Sequence, residues 1–152
     1  MLTATQYAQL NTELTTDPLK LGYAANIGVS DIANAALLNA TTGAGAATVT
    51  LPSITHDDLA QLIAPVVFAL SGASAALQAQ WTPVLQLVGG IQNFQVNAAN
   101  MGMLNQLSTD FPTQLTASAI TAATTRMGSR AEILFGIGTT IAWQDVAQAL
   151  GR

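Results

Sequence analysis

The stretch "RMGSRAEILFGIGTTIAWQDVAQALG", residues 126–151, shows in one short span how this chain is built. Ser129 and Glu132 have the spacing of a capping box, in which a hydroxyl and a carboxylate each satisfy a backbone N–H at the start of a helix. The turn "AEILF" follows. Gly136 and Gly138 then permit a sharp reversal, residues 139–142 run extended, and residues 144–150 form a terminal helix that Gly151 closes. Short helices punctuated by polar caps and glycines are therefore the pattern to seek elsewhere.

The rest of the chain repeats it. "TATQYAQLNTELTTDP" places Tyr7, Leu10 and Leu14 at helical spacing and ends at Asp17-Pro18. Ser30 is the expected N-cap of "DIANAALLN". Residues 40–54, "ATTGAGAATVTLPSI", break the helical period and predict an extended arm or loop with at most one short strand. Thr55, with Asp58 three residues on, opens a helix near His56, where Asp57 and Asp58 suit its positive end. Pro65 ends or kinks that helix, Ser71 caps the next, Pro83 bends it and Gly89-Gly90 stop it. Further helices start at Asn97 and Thr116. The expected fold is mostly α, a compact bundle of six to seven short helices with one extended Gly/Ala/Thr-rich arm or short β insertion. No alternation of strand and helix points to a parallel sheet. At 152 residues the chain is read as a single domain, residues 1–152, able to bury about two thirds of its unfolded surface.

Charge is the most informative part of the composition. Only 8% of residues are Asp, Glu, Lys or Arg, against about 25% in ordinary soluble domains. Half of the chain is apolar. Charge ordinarily keeps small domains apart, so this surface predicts self-association. A net charge of −4 with four basic residues lacks the electrostatic footprint of a nucleic-acid binder. Cysteine is absent, which removes disulfides, thiolate metal sites and cysteine nucleophiles together.

The most apolar window, residues 59–77, has the length of a bilayer span but contains Gln61, Pro65, Ser71, Gly72 and Ser74 and has no Lys or Arg at its flanks. A buried helix is expected there, and no membrane association. The N-terminus carries no signal-peptide pattern.

His56, Asp57 and Asp58 are the only place where an imidazole meets carboxylates, but adjacent residues do not converge as three or four metal ligands must. No G-x-S-x-G elbow, G-x-G-x-x-G or Walker pattern is present. No enzymatic activity, cofactor or metal is expected. Arg126, Arg130, Glu132 and Trp143 are the candidate partner-docking residues within a C-terminal docking segment, residues 126–152. Arginine suits planar bidentate contacts at interfaces and aromatic residues are enriched at their centres. For the charges, the equal alternative is a local ion pair with a helix cap. Trp81 and Trp143 are expected as packing anchors, Met101 and Met103 as core filler.

Two segments, "TELTTDPLKLGYA" followed by "SDIANAALLN" and the closing "SRAEILFGIGTTIAWQDVAQAL", resemble a family of small, mostly helical proteins encoded in the structural-gene modules of tailed bacteriophages and prophages. They cover about 45 residues at the two ends, with a looser match of "ALSGASAALQAQWTPVLQLVGG" between. The family's usual form has Gly and Arg after Asp-Pro-Leu, where Lys20 and Leu21 stand here, and a second acid at the position of Ile133. The resemblance implies a virion structural protein. The leading expectation is a head-to-tail connector (adaptor) subunit docking beneath the portal as a homo-oligomeric ring, made in the host cytoplasm and located in the virion. The alternatives are a capsid decoration or other tail structural protein and, from a different class, a metal-dependent hydrolase centred on His56. On the leading view the arm at 40–54 and the segment 126–152 grip neighbouring virion proteins through closing contacts.

Overall fold

The computed structural model describes residues 2–152. Its helices begin where small polar side chains can satisfy the free N–H groups of a first turn. The side chains of Thr3, Ser30, Thr55, Ser74, Asn97, Thr116 and Ser129 each accept from the backbone N–H three residues on. Thr3 with Gln6 and Ser129 with Glu132 complete full capping boxes. Among the α-helices of the described residues only the last lacks a side-chain cap, and there the Ala142 N–H donates to the Asp145 carboxylate at 3.0 Å. The described residues form eight α-helices and four short strands, so the chain is mostly helical as expected, with one helix more.

The residues group into two compact units: a terminal unit of Met1–Val49 with Met127–Arg152, and an inserted unit, Thr50–Arg126. The terminal unit contains α1 (Ala4–Thr16), α2 (Asp31–Asn39), α7 (Arg130–Phe135) and α8 (Trp143–Ala149). The last of these packs on α1 and α2, and α7 packs on α2. Leu10, Leu14, Tyr23, Leu38, Ile141 and Val146 are buried together at its centre. The strands β1 (Ala47–Thr50) and β4 (Thr125–Gly128), which carry the chain out of this unit and back, pair in a two-stranded sheet. Gly128 is required there: a Cβ in its place would lie 2.6 Å from Val49 Cγ1.

The inserted unit is a continuous segment. It runs through β2 (Ser53–Thr55), α3 (His56–Leu70), α4 (Ala75–Val88), β3 (Asn93–Gln95), α5 (Ala98–Asp110) and α6 (Ala117–Thr124). Strands β2 and β3 are antiparallel, with Ile54 opposite Phe94. Ile54 and Phe94 join Leu59, Val66, Trp81 and Leu107 in the core. Met101 and Met103 pack against it.

Three local expectations change. The arm at 40–54 is not free, because the alternation in 47–50 and 53–55 yields two strands that each find a partner elsewhere in the chain. Pro65 does not end α3, which continues through it to Leu70. Ser74, not Ser71, caps α4.

Candidate functional site

The four residues expected to form one docking patch do not share a unit. Arg126 is exposed at the end of the inserted unit, and the other three belong to the terminal unit. Arg130 is turned inward. Its Nε and Nη2 donate to the two carboxylate oxygens of Glu13 at 2.8 and 2.7 Å, a planar bidentate pair joining α7 to α1. The Glu13 side chain is 4% exposed. This hydrogen bonding to Glu13 raises the Arg130 pKa, so the guanidinium stays charged.

Glu132 is also consumed internally. It accepts from the Ser129 N–H at 3.1 Å and from the Gly138 N–H at 2.8 Å, so one carboxylate both caps α7 and holds the glycine reversal that follows it. Arg130 and Glu132 are therefore each committed within the fold. The local alternative had the right character for both and the wrong partner for Arg130, because Glu13 is far away in sequence. Glu13 shares the buried stripe of α1 with Leu10 and Leu14, and its i, i+3, i+4 spacing with them was the signal for a buried carboxylate in need of a cation.

Trp143 does not anchor the last helix in the packed interior; it is 50% exposed, and Val146 supplies the buried contact. Trp81 does anchor its unit, with its indole N–H donating to Asp110 Oδ2 at 2.7 Å.

Beside the ion pair lies Tyr23, fully buried, with its hydroxyl making no hydrogen bond. Burial first, and the Glu13 charge second, push its pKa far above the ordinary phenol range, with Arg130 opposing. Asn34 is likewise buried with an unpartnered side-chain amide. The motif "DPLKLG" closes on Asp17, which is left-handed at φ 44° and accepts from the Leu21 and Gly22 N–H groups at 2.7 and 2.8 Å. These are interior arrangements that shape the terminal unit.

His56 opens α3 with Nδ1 3.1 Å from the Ile91 carbonyl oxygen, while the Thr55 hydroxyl donates to Asp58. Among the described residues no three His, Cys, Asp or Glu side chains gather to hold a metal ion, and no helix is long and apolar enough to cross a membrane.

The open surfaces lie elsewhere, at residues that composition could not single out. In the inserted unit, α3 and the end of α4 enclose a groove of about 310 Å³, lined by the buried Leu59, Ile63 and Val88 and by Ala60, Ala64, Val67 and Phe68. Phe68 is 79% exposed, and Val67 and Leu87 are also exposed. In the terminal unit, Val29 is 80% exposed and Ile32 is exposed near it. No family model matches the chain, and no curated protein or solved structure is significantly similar to it.

Proposed function

We propose that this chain is a structural subunit of a tailed-phage virion, a head-to-tail connector that docks beneath the portal as a ring, and that it acts by association rather than by catalysis. The observation that carries the reading is that the two segments with the phage resemblance, one at each end of the sequence, fold into the same unit. They are fastened there by the Glu13–Arg130 pair and by Asn39, whose side chain exchanges two hydrogen bonds with the backbone of Ile141 at 2.7 and 2.9 Å. The two end segments thus belong to one folding unit, while the looser match at 69–90 lies in the inserted unit. Sparse charge and exposed Phe68, Val29 and Leu87 add support, since a subunit packed among copies needs little charge to remain dispersed.

Locating the protein in purified particles tests this. A ring of about a dozen copies at the neck is expected for closed heterologous contacts. Copies spread over the capsid would instead make it a decoration protein, stacked rings would make it a tail component, and absence from particles would refute the virion reading.

A further inference from the structure

The segment that joins α1 to α2 is attached to the terminal unit at few points. Between Leu14 and Asn34 the only buried side chain is Tyr23. Leu21, just before it, is half-buried against the same core, and Asp17 pins the Leu21 and Gly22 N–H groups. Beyond that point, among the described residues, the hydrogen bonds of 23–29 all stay within Gly22–Ser30. Ala25 donates to the Gly22 carbonyl, Asn26 and Ile27 to that of Tyr23, and Val29 and Ser30 to that of Asn26, at 2.9 to 3.3 Å. A turn bonded only to itself can move as one piece. Gly22, at its start, has a φ of 90° and open space where a Cβ would stand, so the chain is free to pivot there. The single peg also fits imperfectly. Tyr23 is fully buried, yet its hydroxyl has no partner and stands where the Glu13 and Arg130 charges act on it. The ring gains from burial, but the hydroxyl loses its water without replacement, so withdrawal costs less than for an apolar side chain of the same size. Ile27 and Val29 are exposed with the turn in place and gain nothing from holding it there.

We propose that residues 22–30 are a lid that opens by withdrawing Tyr23 from its place beside the Glu13–Arg130 pair, while α1 and α2 stay folded. Opening admits water to the pair, and the attraction between its charges weakens as the local dielectric rises. The lid therefore governs how firmly the two ends of the chain are fastened. It belongs to a single copy, so it goes beyond the association proposed above and operates whether or not the chain is part of a virion.

Chemical labelling of the full-length protein tests this. Tetranitromethane nitrates a tyrosine only when it can reach the ring, and peptide mapping separates Tyr23 from Tyr7. If the lid opens on its own, urea well below the unfolding transition should change the Tyr23 nitration rate by less than about twofold, because a local opening exposes little surface. A rate that climbs with urea in step with exchange of the α1 backbone amides would mean that the ring is freed only by unfolding, and would overturn the proposal. The Arg130 Nε–H, which donates to Glu13 at 2.8 Å, supplies a second readout through its exchange with deuterium followed by NMR. This exchange should show the same indifference to low urea. Tyr23→Phe keeps the ring and removes the unpaired hydroxyl, which holds the lid closed more firmly and should slow the Arg130 exchange by about tenfold. An unchanged or faster rate in that variant would overturn the proposal as well.

Discussion

The terminal unit is assembled from two ends of the chain and fastened by polar side chains, whereas the inserted unit is one continuous segment held mainly by apolar packing. In the first, Tyr7 donates to Asp145 at 2.7 Å, Asn11 to the Ala149 carbonyl at 2.8 Å and Arg130 to Glu13, bonds that span 117 to 138 residues of sequence. In the second, the bond from Trp81 to Asp110 spans 29. Eight of the twelve charged side chains lie in the terminal unit. Directional bonds specify which helix meets which when the partners are remote in sequence, and local packing needs less specification. Most of the scarce charges serve the assembly of the terminal unit, which leaves the inserted unit only Asp57, Asp58, Asp110 and Arg126.

The comparison breaks first at Arg130. Arg130→Ala leaves the Glu13 carboxylate buried without a cation, and removing one partner of a buried pair costs about 3–5 kcal/mol. The terminal unit should lose most of its stability in urea, while replacing both residues with Met should restore much of it. In a Trp143→Phe background, Trp81 fluorescence reports the inserted unit alone, and its transition should stay in place. A normal urea midpoint for Arg130→Ala would show that the pair is not what fastens the two ends.

Alkaline pH should separate the units next, since both tyrosines belong to the terminal unit. Tyr23 is raised by burial and then by Glu13, and Tyr7 by its hydrogen bond to Asp145. A phenol whose pKa is higher folded than unfolded holds its proton more strongly in the folded state. Its contribution is complete below the unfolded value of about 10 and is lost as pH rises from there through the folded value. Melting followed across this range should show the terminal unit weakening while the Trp81 signal holds. Tyr23→Phe should flatten most of that dependence, and an unchanged slope would place its cause elsewhere.

Local chemistry was legible in the sequence and remote chemistry was not. The capped starts at Ser30, Thr55, Asn97, Thr116 and Ser129 were legible from a small polar residue before a helical period, because a cap acts over three residues, while the Thr3 cap went unread. The misplaced one, Ser74 for Ser71, arose because two serines stand at compatible positions before the same helix. The Glu13–Arg130 pair could not be read, since no local rule relates residues so far apart. Its direction was half visible in a carboxylate within an apolar stripe. Trp143 misled because an aromatic near a terminal helix is equally compatible with either face, and only the packing of Val146 decides which turns inward. The division into two units was hidden for a similar reason: 47–50 and 125–128 look like an arm and a helix end until they pair.

The smallest effect is expected at Lys20, a non-glycine residue of the terminal unit whose φ of 56° is left-handed. A side chain there costs roughly 1 kcal/mol or somewhat more through the clash of Cβ with its own carbonyl. Glycine removes that clash but adds freedom to the unfolded chain, which costs about 0.5–1 kcal/mol. The two nearly cancel, so Lys20→Gly should leave stability unchanged or raise it by less than about 1 kcal/mol. Asp17 holds the loop on both sides of this residue's influence, through the Leu21 and Gly22 N–H groups, so the backbone has little room to escape the left-handed region in the wild-type chain. Lys20→Val provides the contrast, because a β-branched residue tolerates positive φ worst. Thermal melting of the two variants should place glycine at or above the parent and valine below it. Equal melting for all three would mean that the loop relaxes and that Asp17 does not fix its conformation.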